Sequence, residues 1–143
     1  MSILIRQEEE KDYRTVEKLT REAFWNVYRP GCLEHYVLHC YRTQPGFLPE
    51  LDLVLEEDGR IIGHIMYAKA EMEGADGRRL PMLTFGPLSI DPTLQRKGYG
   101  KLLVDASLEK AAKLGFSAVA ITGNPDFYGK SGFVLGSTLG VRY

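Results

Sequence analysis

The chain has 143 residues, 44% hydrophobic and 26% charged, which suits one domain over residues 1–143 and excludes disordered, collagen-like and low-complexity readings. Eighteen lysines and arginines against nineteen aspartates and glutamates leave a net charge of −1, without the basic excess of a nucleic-acid binder. Two cysteines exclude a disulfide scaffold and suit a reducing cytoplasm, and acidic residues follow the start too soon for a signal peptide. The longest uncharged run, residues 114–125, is twelve residues and falls short of the roughly 20 needed to span a bilayer.

Residues 3–6 are a short apolar run able to open a sheet. Glu8, Glu9, Glu10 and Asp12 then precede Val16, Leu19, Thr20, Ala23, Phe24 and Val27, whose three- and four-residue steps make one stripe of an amphipathic helix. The acids sit where a helix N-terminus favours negative charge, and Pro30-Gly31 should end the helix. A second, shorter helix follows with Leu33, Tyr36, Val37 and Cys40 on one side, up to Pro45-Gly46.

The period then changes. Leu51, Leu53 and Leu55 alternate with Asp52, Val54 and Glu56, the rhythm of a strand. Asp58-Gly59 signals a hairpin, and residues 61–72 read as its returning strand. Another strand is predicted over residues 81–90, with a bulge or bend at Gly86-Pro87. Residues 99–114 read as a helix whose buried arc is Leu103, Val104, Ser107, Leu108, Ala111 and Leu114, stopped by Gly115. Residues 117–122 are a short buried-type strand, so residues 81–122 predict two parallel strands joined by a right-handed crossover. Residues 133–143 suggest one more strand. No repeat or linker interrupts this mixed α/β pattern.

Between the 81–90 strand and the next helix lies a loop ending Gln95-Arg96-Lys97-Gly98-Tyr99-Gly100. Backbone amides at a helix N-terminus, two glycines that permit close approach and two cations together suit an anion. Neither Gly-x-Gly-x-x-Gly nor Gly-x4-Gly-Lys-Ser/Thr occurs, so two common nucleotide motifs are excluded.

The pattern Gln-x-x-Gly-x-Gly, between a strand and a helix, resembles the pyrophosphate-binding segment of the GNAT-type N-acetyltransferase superfamily. Asn124-Pro125-Asp126-Phe127-Tyr128-Gly129-Lys130-Ser131-Gly132-Phe133, after the next strand, is similar to that superfamily's short fourth helix. The specific match covers about residues 83–133, and the order of elements extends it to most of the chain. The resemblance implies a mostly antiparallel sheet with a splayed parallel central strand pair, flanked by helices. It implies acetyl-CoA as cosubstrate and transfer of the acetyl group to a primary amine, of a small molecule or peptide, by direct attack. It places Leu88, Ser89 and Ile90 on the pantetheine amides through their backbone, and Gln95, Arg96, Lys97, Gly98, Tyr99 and Gly100 around the pyrophosphate. Asn124 falls against the cofactor, and Tyr128 beside the sulfur as proton donor to the leaving thiolate. An alternative of another class is an acyl-CoA-binding sensor without turnover, against which Tyr128 argues.

The base that deprotonates the amine is not evident: Glu71, Glu73, His64 and His35 are candidates by type. Trp25, Tyr28, Arg29 and Tyr36 would shape the acceptor cleft, while Phe24 and Val27 read as core. Cys32, His35, His39 and Cys40 fall near one helix face, but four ligands from one short helix do not converge on a tetrahedral metal, so no metal is expected. Superfamily domains end with two strands after Gly-Phe, whereas the eleven residues 133–143 supply one. An open apolar edge invites pairing, so the expectation is a longer chain or a homodimer.

Overall fold

The structure, a computed structural model, describes residues 2–28 and 30–141. Its sheet is centred on the turn at Asp58-Gly59. There β2 (Phe47–Glu57) returns as β3 (Arg60–Glu73), and both turn residues have positive φ, 52° and 83°, as a two-residue hairpin loop of matching twist requires. β1 (Ile3–Gln7) and β4 (Arg79–Ile90) complete the order β1-β2-β3-β4, every neighbouring pair antiparallel. Between β3 and β4 the register slips, Ile65 facing Leu88 and Tyr67 facing Phe85. One residue of β3 therefore opposes two of β4, and the extra place is the expected bulge at Gly86-Pro87.

Alternation along β2 separates two cores. Leu53 and Leu55 join Ile65, Tyr67, Leu83 and Phe85 under α3 (Tyr99–Lys113), which contributes Leu103, Val104 and Ala111. Val54 and Met66 point the other way, to Val16 of α1 (Tyr13–Phe24) and Leu38 of α2 (Glu34–Tyr41). Burying each such side chain stabilises the fold by about 1.5–3 kcal/mol relative to leaving it exposed. Among the described residues no helix is long and apolar enough to cross a membrane.

Several local expectations need correction. α1 ends at Phe24, because Trp25 is extended and Asn26 left-handed (φ 59°). The Asn26 amide donates to the Gly31 carbonyl and its Oδ1 accepts from the Gly31 amide, closing a loop that leaves Val27 exposed rather than in the core. Of the acids before α1, Glu10 and Asp12 lie in a 3-10 turn, Glu10–Asp12, capped by Glu9, whose amide donates to Asp12. In α2 the buried residue is Leu38, while Leu33, Tyr36 and Val37 face outward. Residues 117–122 make a single parallel bridge, Val119 with Leu83, in place of a strand. Residues 133–141 hold no strand but a 3-10 turn at Gly136–Leu139, and the last two residues of the strand expected there lie outside the described residues.

Candidate active site

The loop after β4 is built by short-range hydrogen bonds. The Asp91 amide donates to Ile62 O (2.8 Å), extending the sheet by one residue. The Asp91 carboxylate accepts from the Thr93 amide (2.9 Å), the Thr93 hydroxyl (2.7 Å) and Arg60 Nη2 (2.6 Å). Burial pushes Asp91 up, but these donors outweigh it and hold the carboxyl below its usual range. Gln95 Nε2 reaches back to Ile90 O (3.2 Å). Arg96 and Gly98 are both left-handed, φ 64° and 88°, and Gly98 leads into α3 with no side-chain cap on that end. Left-handed residues alternating before a helix form a concavity of amides suited to an anion. A Cβ on Gly98 would meet no atom within 4 Å, so the loop borders open space at that residue. Gly100 serves another purpose: a Cβ there would stand 3.0 Å from Phe127 Cζ, so its bare backbone admits that ring. The Tyr99 hydroxyl donates to the carboxylate of Glu57, at the end of β2.

Leu88, Ser89 and Ile90 pair with Ile65, His64 and Gly63 on the inner side of β4. Ser89 Oγ donates to Thr20 Oγ1 (2.9 Å), which pins α1 over this stretch. On the outer side of β4, the Leu83 amide donates to Ala118 O and the Ala120 amide to Leu83 O, each at 2.9 Å. Past that bridge no described strand pairs with β4 on its outer edge.

Close to this edge stands Tyr128, the last residue of α4 (Pro125–Tyr128). Its ring makes edge contacts with Phe85 (5.6 Å between centroids), Phe127 (4.9 Å) and Phe133 (5.8 Å). Burial, with Tyr28 adding to it, raises the phenol above its ordinary pKa, so it is protonated at neutral pH. Asn124 Oδ1 accepts from the Asp126 amide (2.9 Å), which makes Asn124 the cap of α4. On the opposite face of β4 a groove of about 490 Å³ lies between α2 and the sheet, lined by Tyr36, Val37, Tyr41, Phe47 and Thr84 among others. The outward stripe of α2 is one wall of that groove.

The other candidates are dispersed. Glu71 pairs with Arg79 (3.3 Å) at the exposed end of β3, and Glu73 is exposed there too. His35 Nδ1 lies 3.4 Å from Cys32 Sγ, whereas His39 turns to Glu17 (2.9 Å), so the Cys32-His35-His39-Cys40 group does not converge. Trp25, Tyr28 and Tyr36 are exposed, with the Arg21 guanidinium stacked over Trp25, and Arg29 lies outside the described residues.

A cluster that spacing did not reveal sits beneath α1. His64 is fully buried and its Nε2 lies 2.6 Å from Asp52 Oδ1, while Nδ1 has no partner. The Glu8 amide donates to Asp52 O (2.8 Å), and the Glu8 carboxylate accepts from Arg42 Nε (3.0 Å) and Nη2 (2.9 Å). Arg42 also binds Glu17 (3.0 Å) and stacks on Tyr13. Burial, then the Asp52 contact, lift Glu8 to about 7, and burial lowers His64 to about 4. The one available signal was an acid, Asp52, amid an apolar strand. The three acidic and imidazole groups could by type hold a metal, but Arg42 already takes both oxygens of Glu8.

A family model described as "Acetyltransferase (GNAT) family" matches residues 8–133. The uncharacterized N-acetyltransferase YhbS of Escherichia coli (strain K12) is 27% identical over 133 residues, which cover 93% of this chain and 74% of that one. A crystal structure of a GNAT family acetyltransferase from Brucella melitensis in complex with acetyl-CoA superposes with a TM-score of 0.83 at 26% identity, covering 94% of this chain and 84% of the other. The structure of E. coli YhbS in complex with CoA gives 0.81 at 26% identity, over 95% and 71%. With its hairpin-centred sheet, amide-lined loop and helix-borne tyrosine, and with the family match over most of its length, the chain belongs to the GNAT acetyltransferase family.

Proposed function

We propose that this chain, as one N-acetyltransferase domain, moves the acetyl group of acetyl-CoA to a primary amine. The observation that carries the reading is the loop at Gly98, bordering open space and leading into the uncapped end of α3. It fits a pyrophosphate, and Brucella and E. coli relatives of similar fold hold acetyl-CoA and CoA. Backbone amides from Gln95 to Gly100 would bind the pyrophosphate, with Arg96 and Lys97 adding charge. Leu88, Ser89 and Ile90 would offer their outer backbone to the pantetheine amides, along the edge of β4 that no described strand pairs beyond the Leu83–Val119 bridge. Asn124, the cap of α4, would face the cofactor from across that edge.

The bound cosubstrate supplies an activated acyl carbon: the amine nitrogen bonds to it and releases a proton to water, and the carbon–sulfur bond breaks. Tyr128, kept protonated by burial, gives its proton to the departing sulfur. The groove beside Thr84 and the Tyr128 ring lie on opposite faces of β4, so acceptor and cofactor would approach from opposite sides. In this reading the protein works in the cytoplasm. A second copy would cover the exposed Val134, Leu135 and Leu139, and a sedimentation mass of one chain would remove that part.

The test is release of free thiol from acetyl-CoA with a panel of polyamine, aminoglycoside, amino acid, peptide N-terminal and lysine acceptors. Amine-dependent release supports the transferase. Tight acetyl-CoA binding with no release on any amine points to a sensor.

A further inference from the structure

The β2–β3 hairpin, through the residues flanking its turn, touches the loop between β4 and α3 at both of its ends. At the start of the loop Arg60 holds Asp91 (2.6 Å), the residue that also accepts from Thr93 and continues the β3 ladder through Ile62. At its end Glu57 accepts from the hydroxyl of Tyr99, the first residue of α3. Between these ties lie the left-handed Arg96 and Gly98. A left-handed arginine is conformationally costly, and it persists only where the surroundings fix it.

On charge alone Glu57 is badly placed, since a carboxylate close to an anion-binding loop repels the anion. Its position makes sense as a mechanical tie. We propose that Glu57 is a positioning residue for the pyrophosphate loop: through Tyr99 it holds the first turn of α3 against the hairpin, so that the amides of Gly98 and its neighbours are aimed before the ligand arrives. Arg60 does the same for the other end through Asp91. This rests on the reading that the loop binds the pyrophosphate of acetyl-CoA. Preorganisation of this kind tightens binding by reducing the ordering that binding would otherwise require.

The sign of the effect separates a tie from an electrostatic bystander. Removing the carboxylate of a bystander relieves repulsion and tightens CoA binding. Removing a tie weakens it.

The experiment measures the dissociation constants of CoA and of pantetheine, which lacks the pyrophosphate, by calorimetry. It compares the full chain with Glu57→Ala, Glu57→Gln, Tyr99→Phe and the Glu57→Ala/Tyr99→Phe double variant. The expected loss of CoA affinity is about ten-fold in Glu57→Ala and in Tyr99→Phe, the scale of one hydrogen bond to a charged group. The double variant should be no worse than either single one, because both remove the same bond. Glu57→Gln, whose amide oxygen still accepts from Tyr99, should stay near the parent. Pantetheine affinity should hold within two-fold throughout, which also shows that the variants fold. CoA binding that is unchanged or tighter in both Glu57→Ala and Tyr99→Phe overturns the tie and leaves the loop assignment standing. If the parent itself binds CoA no better than pantetheine, the loop assignment fails and the tie falls with it.

Discussion

Gly123 lies so close to the Tyr128 ring that a Cβ built on it would stand 2.5 Å from Cε2 and 3.1 Å from Cδ2. The bare backbone at 123 and the ring at 128 therefore form a single fitted contact, backed on other sides by Phe85, Phe127 and Phe133. A methyl at 123 has to displace the ring. Gly123→Ala should lower kcat at least about ten-fold, equal to ~1.4 kcal/mol of barrier, with acetyl-CoA affinity within a few-fold. Steady-state kinetics beside a binding isotherm checks this, and an unchanged kcat contradicts it.

The two glycines of the loop should behave differently. Gly98 is left-handed with open space before it, whereas a Cβ on Gly100 meets Phe127. Acetyl-CoA at 100 times its dissociation constant should stabilise the parent by about 2.7 kcal/mol. Gly98→Ala should lose most of that stabilisation. Gly100→Val should instead destabilise the unliganded protein by about 1–3 kcal/mol through overpacking. Thermal melts with and without acetyl-CoA separate the two, and identical behaviour of both variants would contradict the assignment.

Glu8 and His64 share a buried cluster and titrate in opposite senses. Glu8 is raised to about 7 from 4.5, chiefly by burial, so its contribution to stability is complete below about pH 4.5 and fades as pH climbs through 7. His64 is lowered to about 4 from 6.5 by burial, so its contribution is complete above 6.5 and fades as pH falls through 4. Between pH 4.5 and 6.5 the two slopes oppose each other, and stability should be nearly flat. Glu8→Gln removes the falling slope, so the variant should gain stability with pH across that window. Urea melts at three pH values test it; parallel curves for parent and variant would count against the cluster.

What could be read from the sequence depended on how local the cause was. The Asp58-Gly59 hairpin, the Gly86-Pro87 bulge and the buried arc of α3, apart from Leu114, which lies just past the helix and is exposed, follow from residues within a few positions of one another. The end of α1 did not, because Asn26 closes its loop by bonding Gly31 in preference to continuing the helix. The α2 stripe was real, but it faces a groove, and Leu38 meets Val16, Val54 and Met66 from three other elements. The loop and Tyr128 were visible as a motif. The tie from Glu57 and the packing of Gly123 and Gly100 were not, since each joins residues whose proximity only the fold creates.

Whether Tyr128 protonates the departing sulfur is decided by Tyr128→Phe, which keeps the ring and removes only the hydroxyl. The measurement is kcat of that variant on an active amine, beside its acetyl-CoA dissociation constant. If Tyr128 is the proton donor, kcat falls about 10²-fold or more, the scale of a general acid, with affinity within a few-fold. A variant that turns over like the parent would leave Tyr128 only a packing role, against Phe85, Phe127 and Phe133.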